Sequence, residues 1–170
     1  MQTAEAQPGC WLAAYTRSRH EHRVATQLQQ KNLEYLLPTY ERLVRWSDRV
    51  KRLQAPLFPG YVFVRASHGE QVRILQTAGV VHLVSRAGRA IVLSQEEIDR
   101  LRTCSLQASK IGPHPYLKIG GRVRVKYGPF AGWEGTLLQK QNSRRLIVNI
   151  EPIMKAVAIN LDGADVEAVN

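Results

Sequence analysis

Pro56-Leu57-Phe58-Pro59-Gly60-Tyr61-Val62-Phe63-Val64-Arg65 is the stretch whose reading decides the fold. Pro59-Gly60 makes a tight turn, and the alternation after it predicts a short strand. In that strand Tyr61 and Phe63 share one face, and Val62 and Val64 the other. The stretch holds more large apolar side chains than a one-sided strand of a small domain easily buries. One face belongs to a core. Phe58, Tyr61 and Phe63 read either as more core or as a groove for a partner helix, because aromatic residues dominate binding hot spots.

Upstream, Trp11–Thr16 reads as a strand, and Ser18-Arg-His-Glu21 as a capping box for a helix reaching about Lys31. Val24 and Leu28 fall on one face of it, and Asn32 is a stop. Tyr35–Trp46 is strand-like with an interruption at Pro38, and Arg49–Leu53 reads as its hairpin return. Downstream, Ser67-His-Gly-Glu70 is a second capping box, opening a helix through about Thr77 that ends near Gly79. Val80–Ser85 is a strand. Ser94-Gln-Glu-Glu97 is a third box, with Leu93 and Ile98 placed as a hydrophobic staple for a helix to about Thr103.

Strands and helices mixed in this order predict an α/β sandwich with helices packed on an antiparallel-rich sheet. Ser105–Leu117, with Gly112-Pro113-His114-Pro115, reads as an extended linker. From Ile119 the pattern changes: Val123 and Val125 alternate with Arg122, Arg124 and Lys126, and Gly128-Pro129 turns. Trp133–Gln139, Leu146–Ile150 and Ala156–Leu161 are further strands, and short strands so closely spaced predict a small closed β-barrel. The fold class is α+β: a tail at 1–10, an α/β sandwich at 11–104, a linker at 105–117 and a barrel at 118–170.

Of 170 residues, 44% are apolar and 22% charged, the balance of a globular protein. The net charge is +10, with 15 basic against 9 acidic residues up to Gln107 and 9 against 5 after it. Both parts are basic, which favours nucleic acid or a machine that carries it. Cys10 and Cys104 lie in no C-x-x-C and read as free thiols in a reducing compartment. Met1–Gly9 is polar, so no signal peptide is expected, and no apolar run approaches the roughly 18 residues of a membrane span. A cytosolic protein is expected.

The sequence displays no metal-binding, nucleotide-binding or hydrolase motif. His20 and His22 are two apart on a helix and point apart, so they cannot pincer a metal. Glu96 and Glu97 are adjacent acids in a first helical turn, where the helix dipole accounts for them. No cofactor, metal or catalytic residue is expected.

Trp11, Ser18-x-x-Glu21, Pro56–Val64, Ala78-Gly-Val-Val81 and Leu93-Ser-x-Glu-Glu97 resemble the N-terminal domain of the NusG family in order and spacing. Gly121-Arg-Val-Arg-Val125 followed by Gly128-Pro-Phe-Ala-Gly-Trp-Glu-Gly135 resembles a KOW motif in its SH3-like barrel. The resemblance covers nearly all of Trp11–Val169. It implies a monomeric transcription elongation and antitermination factor without enzymatic activity. Leu57, Phe58, Tyr61 and Phe63 would dock the clamp helices of the largest RNA polymerase subunit. Glu70, Gln71, Val72 and Arg73 would face the gate loop across the cleft, so the domain bridges the DNA channel and modulates pausing and termination.

Arg17, Arg19, His20, Arg23 and Thr77 would meet the non-template DNA strand, with Arg17, Arg23 and Thr77 falling where RfaH-like members touch it; a solvated helix face explains the arginines equally well. Arg42, Arg45, Arg49, Lys51 and Arg52 are a second basic run with Asp48 its only acid, read as an exposed hairpin or a DNA contact. Phe130, Trp133 and Ile153 would bind a small-subunit ribosomal protein or Rho, with Trp133 read also as core. Glu151-Pro-Ile-Met-Lys155 lacks the Phe-Gly-Arg of typical NusG. The chain is thus similar to a specialised RfaH-like or UpxY-like paralogue. The alternative is a ribosome-associated RNA-binding KOW protein, which accounts for the barrel but not for the aromatic strand.

Overall fold

The computed structural model describes residues 9–46, 49–114, 121–140, 143–161 and 166–169. Most of the expected tail, Asp48, the linker's residues 115–117 and the pattern change at Ile119 lie outside the described residues. The chain divides into two compact units, one of residues 1–37 and 58–99, the other of 38–57 and 100–170.

In the first unit β1 (Cys10–Thr16) leads to α1 (Glu21–Gln30) and the short β2 (Tyr35–Leu36). The hairpin of β3 (Thr39–Arg45) and β4 (Val50–Pro56) belongs to the second unit. The first resumes with β5 (Tyr61–Ala66), α2 (Gln71–Leu75), β6 (Val80–Leu83), β7 (Ser85–Arg86), β8 (Arg89–Ala90) and β9 (Val92–Leu93). Its sheet runs β2-β5-β1-β6, with β9 also paired to β1, and every ladder is antiparallel. Leu12, Ala14, Val62, Val64 and Ala66 turn to the helices, where Val24, Leu28 and Ile74 complete a core. The predicted strand Val80–Ser85 stops at Leu83, and Ser85–Ala90 forms its own small hairpin.

Two of the three capping boxes form. Glu70 accepts the Ser67 backbone N–H at 2.9 Å and its hydroxyl at 2.8 Å, and Glu97 does the same for Ser94 at 2.8 and 3.0 Å. The first forms a single 3-10 turn before α2, which ends at Leu75, short of the expected Thr77. The box at Ser18 does not form: α1 begins at Glu21 itself, behind His20, and the Glu21 carboxylate is used elsewhere. Asn32 does stop α1, in a left-handed conformation (φ 54°). The Leu33 and Asn32 amides then bond back to the carbonyls of Leu28 and Gln29 at 3.0 and 2.9 Å.

α3 (Gln95–Leu106) runs three residues past the expected Thr103. In the second unit β10 (Ile111–His114), β11 (Arg122–Val125), β12 (Glu134–Lys140), β13 (Ser143–Ile150), β14 (Lys155–Asn160) and β15 (Val166–Ala168) form one antiparallel sheet. Its order is β10-β14-β13-β12-β11-β15, the antiparallel run of short strands expected of the small barrel. β10 occupies part of the expected linker; Pro113 fits because β10 is an end strand, where a missing N–H is tolerated. The β3–β4 hairpin groups with this unit through the Glu41 N–H, which donates to the Ala108 carbonyl at 2.8 Å.

Candidate partner-binding surface

The face of the first sheet turned away from α1 carries two kinds of residue. Trp11, Ala13 and Phe63 are buried, whereas Tyr15, Tyr61 and His82 are reached by solvent. Tyr15 on β1 stands opposite Tyr61 on β5 and His82 on β6, so the three form a row across neighbouring strands. The Tyr15 and Tyr61 rings meet edge to face at 5.3 Å, and Tyr15 and His82 stack at 5.0 Å. Partial burial, then the neighbouring Tyr15, push the Tyr61 phenol above its ordinary value of 10.0. An exposed aromatic row on a rigid sheet is suited to gripping an apolar partner surface, with the phenol and imidazole edges supplying directional contacts.

Of the four residues expected on this surface, Tyr61 lies in the row. Leu57, Phe58 and Phe63 are almost fully buried, and the Phe58 and Phe63 rings pack edge to face at 6.0 Å. Their apolar bulk is satisfied inside the fold, and in this structure they are not part of the exposed surface. Tyr15 and His82 were not expected there. Their signal, alternation along each strand, reveals the face but not the register that aligns them.

The turn before Tyr61 is held from several sides. The Gly60 N–H donates to Glu21 Oε1 at 2.7 Å, and the Thr16 N–H donates to the Gly60 carbonyl at 2.8 Å. Gly60 is left-handed (φ 85°), and a Cβ there would meet Tyr15 Cε2 at 3.0 Å.

Next to this row lies the basic turn. The Arg17 N–H donates to the Gly79 carbonyl at 2.8 Å, and Arg19 adopts φ 62°. Arg17, Arg19 and Arg23 are exposed, and His20 is half-buried with Nδ1 2.9 Å from the Ser18 carbonyl. Thr77, expected with this set, is buried: its hydroxyl donates to the Arg73 carbonyl at 3.0 Å and accepts from Lys31 Nζ at 2.8 Å. In the Glu70–Arg73 segment Val72 and Arg73 are exposed, and Gln71 and Glu70 half-buried. Arg73 pairs with Glu70 at 3.4 Å and donates to the Lys31 carbonyl at 2.7 Å. The Ser67 bonds, backbone first, hold the Glu70 carboxyl below its ordinary 4.5.

In the second unit the β11–β12 and β13–β14 connections emerge at the same end of the sheet. Phe130, Trp133 and Ile153, expected as partner contacts there, are buried. Phe130 and Trp133 meet edge to face at 5.2 Å, with the Arg100 guanidinium 5.8 Å from the Trp133 ring. The exposed apolar side chains at that end are Tyr127 and Met154. On the β3–β4 hairpin all five basic residues of the run are exposed, interleaved with exposed Leu43, Trp46, Val50 and Leu53. Among the described residues no three of His, Cys, Asp and Glu gather as a metal-holding group, and no helix is long and apolar enough to cross a membrane.

A family model described as "Transcription termination factor nusG" matches residues 9–102. The transcription termination/antitermination protein NusG of Deinococcus radiodurans is 30% identical over 154 residues, covering 75% of this chain and 81% of that protein. NusG of Halalkalibacterium halodurans is 26% identical, covering 94% of this chain and 98% of that protein. Among solved structures, that titled "Domain interaction in Thermotoga maritima NusG" superposes with a TM-score of 0.61 at 17% identity, over 94% of this chain and 98% of that one. This last likeness bears on the fold alone.

Proposed function

Since this chain belongs to the NusG family of transcription termination and antitermination factors, we propose that it acts by binding RNA polymerase and catalyses no reaction itself. The row Tyr61–Tyr15–His82 docks on the clamp helices of the largest subunit, with the buried Phe63 beside Tyr61 on the same face. Glu70–Arg73 faces the opposite side of the cleft. A factor that binds the closed clamp better than the open one shifts the population toward closed, and so modulates pausing and termination. Arg17, Arg19, His20 and Arg23 lie beside the row, where a displaced non-template strand would meet them through its phosphates. In the second unit Tyr127 and Met154, backed by Phe130, Trp133 and Ile153, are the contact for a small-subunit ribosomal protein or Rho. The atypical Glu151–Lys155 loop supports a specialised member of the family, working in the cytoplasm.

The observation that carries the reading is the solvent-reached aromatic row beside the buried Trp11, Ala13 and Phe63 on one sheet face. A ribosome-associated RNA binder would leave that row unused. The test is binding to a purified bacterial elongation complex by wild type and by a folded Tyr15→Ala/Tyr61→Ala variant. Binding by wild type alone supports docking through the row; equal binding by both removes it.

A further inference from the structure

Glu21 is a carboxylate with 5% of its surface exposed, and it stands at the first position of α1. A helix N-terminus favours negative charge, which makes this a tolerable place to bury one. Its Oε1 accepts the Gly60 N–H, and Gly60 in turn packs against the Tyr15 ring and precedes Tyr61. Glu21 also lies within the segment that bears Arg17, Arg19, His20 and Arg23. One buried acid thus ties the basic turn to the loop that starts the aromatic row.

We infer that Glu21 is a positioning residue for partner binding: by holding the Gly60 amide it fixes Tyr61 against Tyr15, although it touches no partner itself. The inference rests on the docking reading above for its functional consequence. The carboxylate must both accept the hydrogen bond and reach Gly60. Glutamine keeps an acceptor at the same reach, aspartate keeps the charge but is one methylene short, and alanine keeps neither.

The experiment compares Glu21→Gln, Glu21→Asp and Glu21→Ala in the full chain, alone and with Tyr61→Ala. Affinity for the elongation complex is expected to fall about tenfold in the Asp and Ala variants and to stay within about threefold of wild type in the Gln variant. In the Tyr61→Ala background the Glu21 substitutions are expected to add nothing. An undiminished Glu21 effect in that background overturns the inference. So does a Gln variant as weak as Ala.

A second measurement needs no polymerase. Amide exchange at Gly60 is expected to quicken about tenfold or more in the Asp variant, while Val24–Leu28 stay protected, and the Tyr61 phenol to titrate closer to its ordinary value. Unchanged Gly60 exchange and phenol titration overturn the inference whatever the binding result. If both respond but Tyr15→Ala/Tyr61→Ala costs no polymerase affinity, the docking reading fails and the positioning of Tyr61 by Glu21 stands.

Discussion

Tyr15 and Tyr61 face each other across the β1–β5 ladder with ring centroids 5.3 Å apart, and His82 stacks on Tyr15 from the adjoining strand. Phe58 and Phe63 are buried and pack against each other. Truncating an exposed ring and truncating a buried one therefore have different expected effects. Tyr15→Ala should weaken elongation-complex binding about 30-fold, a loss of about 2 kcal/mol, with a smaller loss of stability than Phe58→Ala. Phe58→Ala should cost about 3–5 kcal/mol of stability in denaturant titration.

Arg17 and Arg23 are both exposed. If they neutralise phosphates of a single strand, the Arg17→Ala/Arg23→Ala variant should bind a scaffolded elongation complex with a shallower salt dependence. Each lost contact lowers the slope of log K against log salt by about 0.7. An unchanged slope would assign the two arginines to solvent.

A Cβ on Gly135 would fall on the backbone carbonyl oxygen of Ile147 in the neighbouring strand, which has no flexible side chain to yield. Gly135→Ala should destabilise the second unit by about 1–3 kcal/mol or more. Denaturant unfolding of the full chain, followed by tryptophan fluorescence, reports it.

Glu70 is held below its ordinary value by the Ser67 amide and hydroxyl, and Glu134 by its hydrogen bond to Arg124. Both carboxylates have depressed pKa values when folded. Their contribution is present above the unfolded value and is lost as pH falls through the folded one. Melting temperature should decline on acidification below the ordinary 4.5, and Glu70→Gln and Glu134→Gln should each flatten that decline. Calorimetry across that acid range measures it.

Burial pushes the Cys104 thiol up to about 12, whereas Cys10 is only half-buried. Because the thiolate is the reactive form, a thiol-selective reagent at neutral pH should label Cys10 and spare Cys104 until the protein is unfolded. Intact-mass spectrometry counts the adducts.

Strand alternation made the first sheet legible: Tyr61 with Phe63, and Val62 with Val64, divide as the sequence indicates. Ser67–Glu70 and Ser94–Glu97 were legible as caps because both partners are local. Ser18–Glu21 shows the same spacing, yet Glu21 serves Gly60, 39 residues away. Spacing alone cannot tell a local bond from a distant one. Tyr15 and His82 depended on inter-strand register, which only folding sets. Phe130, Trp133 and Ile153 look the same in sequence as core or as contact, and only their burial distinguishes the two. β10 was hidden by Pro113, a residue that marks linkers but is also accepted at a sheet's end.

Among the described residues the β3–β4 hairpin forms a two-stranded sheet of its own, and Leu43, Val50 and Leu53 are exposed along it. Such a ribbon invites edge-to-edge pairing with another molecule. Its five cations, Arg42, Arg45, Arg49, Lys51 and Arg52, make two approaching ribbons repel. That repulsion reaches about 10 Å at 0.1 M salt and shrinks to about 3 Å at 1 M. Ionic strength thus sets how well the hairpin's edge is guarded against pairing with another molecule.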